Sequence, residues 1–259
     1  MHTGLIALSL IAGLLATMLL LLELGRRFGK RRLAEDPDVA RAGQGIVDGA
    51  VFSLMGLLIA FTFSGAAARF DARRAMVVQE ANAIGTAWLR LDVLPASVQP
   101  PLRQGLRDYT EARLAVFQKI PDVEAARAEL RKAAVLQQQI WTNAIAACRE
   151  PSPIPATMLL LPALNQMFDM ASTRTAGVLM HPPLIIYEVL ILLVMASSLL
   201  AGYSLGMGKT RNWFRAIAFV FTIVLAVYVI LDFEFPRVGL IRIHGMDSMF
   251  VELLETMKP

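Results

Sequence analysis

Charge is scarce in this 259-residue chain. Asp, Glu, Lys and Arg together make up 18% of it, while 56% is hydrophobic. A water-soluble domain of this length carries more charge and less apolar surface, so the composition points to a polytopic membrane protein. Cysteine is almost absent: Cys148, the single one, cannot close an internal disulfide, and the redox compartment is not legible from it. The three histidines, His2, His181 and His244, lie too far apart in sequence to suggest a ligand cluster, and no CxxC occurs.

Other soluble chemistries fall away in the same manner. The stretch GMGKT, Gly206 to Thr210, matches the end of a phosphate-binding loop, but the required first glycine is replaced by Tyr203 and no strand precedes it. It reads as a short charged turn between two membrane helices. A formal net charge of +4 could suit nucleic acid, yet the basic residues crowd beside apolar segments, where they anchor membrane helices. The chain is expected to be no enzyme, to carry no cofactor and to bind no nucleic acid.

Long apolar runs are what the sequence does have. A hydrocarbon core of about 30 Å needs about 20 apolar helical residues, and four segments qualify: Leu5 to Leu24, Ile46 to Ala68, Leu184 to Leu205 and Phe214 to Leu231. The first is too long for a signal peptide and lacks a basic N-terminal region, so it is expected to stay in the mature protein. The third follows the helix-breaking pair Pro182 and Pro183.

Between the second and third spans lies a polar region. Pro95, Pro100, Pro101, Pro121, Pro151, Pro153 and Pro155 divide it. Within the pieces the period is helical. Val77, Ala81, Ile84, Trp88 and Leu91 share a face; Leu102, Leu106, Tyr109 and Phe117 form a looser second stripe; Ala126, Leu130, Ala133, Gln137 and Trp141 form a third. The expected fold is an all-α integral membrane protein with four transmembrane helices and an extramembrane helical bundle inserted between the second and third. Residues 1–68 form a first transmembrane hairpin, 69–181 the bundle, and 182–259 a second hairpin with a C-terminal tail.

The second span raises a question at its far end. LLIAFTFSGAAARFDARRAMVVQEANAIGTAWLRL, Leu57 to Leu91, turns from apolar to charged without a proline or a glycine pair to stop it. One helix to about Leu91 would cover about 45 residues, roughly 68 Å, and would join membrane and bundle as a rigid strut. Along it Gly45, Gly49, Ser53, Gly56, Ala60 and Ser64 recur at spacings of three and four, a strip of minimal side chains with one GxxxG match at Gly45 and Gly49. Such a strip serves close helix packing or lines a pore, and spacing alone leaves both open. Glu188, about one turn inside the third span, is an intramembrane ionisable group and so a functional candidate, with a water-facing position as the alternative. Glu80 and Asn82 are candidates for interhelical hydrogen bonding.

The segment GLLIAFTFSGAAARFDARR, Gly56 to Arg74, resembles the second membrane helix of bestrophins. VVQEANAIGTAWLRLDVLP, Val77 to Pro95, and DFEFPRVGLIRI, Asp232 to Ile243, resemble more closely the bacterial bestrophin-like domain family, a group named for that similarity and without an assigned activity. Glu80, Asn82, Asp232, Pro236, Arg237 and Gly239 stand within the family-like segments. The resemblance implies a homo-oligomer in the lipid bilayer, a pentamer as in bestrophins, whose second helices surround a path for inorganic anions. Gly49, Ser53, Gly56, Ala60 and Ser64 would face that path, and Arg69, Arg73 and Arg74 would stand at its mouth, where positive charge concentrates anions. Three arginines beside a membrane helix also snorkel to lipid phosphates.

Two departures from bestrophins limit the carry-over. Bestrophins narrow their pore with bulky apolar residues one helical turn apart, whereas Phe61 and Phe63 are two apart and point to different faces, so no gate residue transfers. Their calcium site has no counterpart either, because Asp232, Glu234, Asp247, Glu252 and Glu255 are too scattered for a calcium loop, and no metal is expected.

Topology is read two ways. One side of the spans holds Arg26, Arg27, Lys30, Arg31, Arg32, Arg41, Lys209, Arg211 and Arg215; the other holds Arg69, Arg73, Arg74, Arg237 and Arg242. The charge excess places termini and bundle outside the cytoplasm of an inner-membrane protein. The bestrophin resemblance places them inside. The functional expectation is an anion-permeable channel lined by the second helix; the alternative is a non-conducting scaffold or sensor whose bundle binds a partner. A transporter is weaker, for want of an internal repeat or a broken pair of spans.

Overall fold

A computed structural model describes residues 2–35, 44–120, 122–149, 154–208, 213–236 and 244–257. Every regular element among them is helical: α1 (His2–Glu35), α2 (Gln44–Leu89), a 3₁₀ turn (Arg90–Val93), α3 (Gln99–Gln118), α4 (Val123–Arg149), α5 (Ile154–Leu179), α6 (Leu184–Gly206), α7 (Trp213–Glu234) and α8 (His244–Thr256). Among the described residues, four stretches are long and apolar enough to cross a membrane: Ser9–Glu35, Gly45–Val93, Ala156–Gly206 and Trp213–Glu234. Each overlaps one of the four expected spans. α2 is one unbroken helix of 46 residues, about 69 Å long, ending in the 3₁₀ turn that carries Leu91.

The chain divides into two compact units, Met1–Phe70 with His181–Leu240, and Asp71–Met180 with Ile241–Pro259. The core of the first joins Met18 and Leu22 of α1, Met55 and Ala66 of α2, Leu190 and Val194 of α6, and Ala216, Val220, Ile223 and Ile230 of α7. α1 lies along α6, and glycines make that closeness possible. Gly25 and Gly29 on α1 face Leu199 and Tyr203; Gly202 and Gly206 on α6 face Leu22 and Arg26. A Cβ built on any of the four would overlap a backbone carbonyl oxygen of the other helix. Two GxxxG pairs thus face each other. Bilayer helices associate through this kind of contact, because lipid offers no hydrophobic drive between them.

In the second unit the first two sequence stripes are buried: Val77, Ala81, Ile84, Trp88 and Leu91, and Leu102, Leu106, Tyr109 and Phe117. The third differs. α4 buries Ala126, Ala133, Ile140, Ala144 and Ala147, while Leu130, Gln137 and Trp141 are only half-buried. Its contact face repeats every seven residues rather than following the drift of a straight helix, because α4 returns antiparallel along α3. Gly105 of α3 leaves the notch that takes Ile140, with the Ile140 side chain 3.2 Å from where a Cβ would stand. Asp122 caps α4 by accepting from the Ala125 amide at 3.0 Å.

Tyr109 is fully buried on α3, its ring edge-on to Phe168 with centroids 6.0 Å apart. Its hydroxyl finds no hydrogen-bond partner among the described residues. Burial pushes the phenol well above its ordinary pKa, against a smaller opposing pull from Arg113. A buried hydroxyl without a partner costs about 1–3 kcal/mol. Tyr109→Phe is therefore expected to be about 1 kcal/mol more stable than wild type in a denaturant titration, with an unchanged m-value.

Candidate functional site

The face of α2 that meets the membrane core of its own unit is carried by Met55, Thr62 and Ala66, which are buried. The strip Gly45, Gly49, Ser53, Gly56, Ala60 and Ser64 lies elsewhere on the helix and is exposed along its whole length. Among the described residues, a Cβ added at Gly45, Gly49 or Gly56 would meet nothing within 4 Å. Among the described residues the glycines of this strip therefore meet no packing partner, unlike the glycines of α1 and α6. At the strip's beginning Asp48 accepts a hydrogen bond from Ser204 Oγ and ties the start of α2 to the end of α6.

The three arginines beyond the strip have different surroundings. Arg69 lies back over Gly65 and donates through Nε to Glu234 Oε2 at 2.9 Å. Glu234 is fully buried at its side chain, and its Oε1 meets His181 Nδ1 at 2.8 Å. His181 stacks on Phe235, and Phe233 packs against Phe63 and Phe70. Arg73, also buried, donates to the carbonyls of Gly177 at 3.3 Å and Met180 at 3.0 Å, capping the last turn of α5. Arg74 is half-exposed and pairs with Asp71 one turn away at 3.5 Å.

Glu80 is the centre of a buried ionic group in the second unit. With no exposed surface, it accepts from Arg113 Nε at 2.5 Å and Arg174 Nη1 at 2.8 Å. Arg113 also donates to Ala171 O and Thr175 Oγ1, and Arg174 sits 3.6 Å above the Phe117 ring centre with Asp247 3.9 Å away. Two cations and two carboxylates share this space, so the charges balance. Asn82 stands apart from the group, on the exposed face of α2.

The remaining candidates are dispersed. Glu188 is exposed on the early turns of α6; Asp232 and Pro236 are buried near the end of α7. Arg237 and Gly239 lie outside the described residues. Sequence reasoning missed the roles of Glu234, Arg113 and Arg174; Glu234 stands within the family-like segment Asp232 to Ile243, while neither arginine has a motif or spacing that signals it. It also passed over the paired GxxxG matches at Gly25 and Gly202, which the sequence does display.

A family profile for the bestrophin-like domain matches residues 11–244. No curated protein sequence matches the chain. Among solved structures, a bacterial bestrophin homologue from Klebsiella pneumoniae carrying a single tyrosine-to-alanine mutation superposes with a TM-score of 0.66 at 13% identity, over 94% of this chain and 98% of that one. At that identity the likeness is one of fold. Profile and apolar helices agree with the residue patterns of α2 and of Asp232 to Ile243: the chain is a multi-pass membrane protein and belongs to the bestrophin-like domain family.

Proposed function

We propose that the protein is an oligomeric channel, permeable to anions, in which α2 lines the path. The observation that carries this reading is the small-residue strip of α2, exposed along its length among the described residues. A strip of this kind gives an ion room and leaves backbone and hydroxyl groups, Ser53 and Ser64 here, accessible to it. Arg74, the most exposed of the three arginines, stands where α2 leaves the membrane and is the one placed to meet an anion. Assembly into a pentamer in the inner membrane, with residues 69–181 as the extramembrane bundle, follows the bestrophin resemblance.

One observation favours the scaffold reading: Arg69 and Arg73 are held by a buried acid and by helix-end carbonyls, which suits a strut. The two readings part in a thiol-labelling experiment. In a Cys148→Ser background, Ser53→Cys is expected to react with an anionic, membrane-impermeant methanethiosulfonate and to lose most of its anion flux on doing so. A scaffold shows no flux to lose.

A further inference from the structure

Three helices of the first unit change character at one end. α1 passes from Leu24 to Arg26 and Arg27, α6 stops at Gly206, and α7 starts at Trp213. There the helices leave between them a cleft of about 210 Å³, with Leu19 and Leu22 of α1, Leu205 of α6 and Ala216 of α7 among its lining. Trp213, 53% exposed, also lines it. The apolar part of this lining suits hydrocarbon better than water. Its position at the membrane boundary, beside an interfacial tryptophan, makes the acyl chain of a lipid the available occupant.

The polar lining defines the head group. Glu23 and Arg26 belong to the same cleft and pair with each other, Arg26 Nε to Glu23 Oε2 at 2.7 Å and Nη2 to Oε1 at 2.5 Å. Their side chains keep 28% and 14% of their surface. The guanidinium attracts a phosphate through charge-assisted hydrogen bonds, while the carboxylate can accept from a head-group ammonium. A head group with a phosphate and a primary ammonium satisfies both partners. A trimethylammonium carries no N–H for Glu23 to accept.

We propose that this cleft binds a bilayer phospholipid of the phosphatidylethanolamine type, its phosphate toward Arg26, its ammonium toward Glu23 and one acyl chain in the cleft. Arg32, paired with Glu35 further along α1, does not line the cleft, so it provides the control.

The test uses the purified full-length protein, titrated with phosphatidylethanolamine, phosphatidylcholine and phosphatidylglycerol of matched chains and read by native mass spectrometry. Phosphatidylethanolamine is expected to be retained about fivefold over either competitor, equivalent to about 1 kcal/mol. Glu23→Gln removes that preference and Arg32→Gln leaves it. If Glu23→Gln does not fold, Trp213→Ala reads the same cleft and is expected to lower phosphatidylethanolamine retention severalfold. Equal or stronger retention of phosphatidylglycerol by the wild type overturns the proposal. So does a preference that survives Glu23→Gln, or retention that Trp213→Ala leaves unchanged.

Discussion

Gly202→Leu is expected to leave no folded protein, whereas Gly49→Leu, on a helix of similar character, is expected to fold. The difference lies in what a side chain would meet. At Gly202 a Cβ overlaps the Leu22 carbonyl oxygen and comes 2.7 Å from its carbon; at Gly206 it overlaps the Arg26 carbonyl oxygen and comes 3.1 Å from the Lys30 nitrogen. All these atoms are backbone, so no rotamer change relieves the overlap and α1 must move off α6. Overpacking a core costs about 1–3 kcal/mol when side chains can adjust, and more when backbone must shift. In lipid, close backbone packing of this kind is a main source of helix association. Size-exclusion chromatography in mild detergent checks it: a loss of the wild-type peak for Gly202→Leu and its retention for Gly49→Leu are expected. A normal peak for Gly202→Leu would remove the glycine-mediated contact from the account.

Glu80→Gln is expected to lower the thermal unfolding midpoint by on the order of 10 °C. The substitution keeps volume and removes charge, leaving Arg113 and Arg174 in the interior with Asp247 as the carboxylate nearby. Removing one partner of a buried ion pair costs about 3–5 kcal/mol, because an uncompensated charge stays behind. In a domain of this size each kcal/mol moves the midpoint by several degrees. Arg74→Ala is the matched surface control. Its pair with Asp71 is half-exposed, worth about 0–1 kcal/mol, and its midpoint should stay within a degree or two of wild type. Differential scanning fluorimetry in one detergent compares all three proteins.

Much of the helical framework was legible because membrane helices and amphipathic stripes announce themselves through length and period. Pro182 and Pro183 set the start of α6, and the Val77 to Leu91 stripe marked a buried face directly. The α4 face was not legible in full, since Gln137 and Trp141 fit a straight-helix period while the hairpin with α3 selects Ile140 and Ala144. The small-residue strip on α2 was readable as a strip, but its orientation depends on which helices take the other faces. Arg69 and Arg73 looked alike beside a membrane span. Only the fold brings Glu234, 165 residues from Arg69, and the α5 carbonyls, 104 and 107 residues from Arg73, to their side chains.

The claim that α2 lines an ion path is tested most directly by chloride flux into liposomes carrying the purified protein, beside Ser53→Trp and Gly56→Trp. Both positions are exposed, and a built Cβ at Gly56 meets nothing, so both variants should fold and assemble as the wild type does. The account predicts chloride uptake by the wild type that either tryptophan reduces at least tenfold at unchanged oligomer mass. Wild-type liposomes no more permeable than empty ones, across several anions and pH values, would contradict it and leave α2 as a strut.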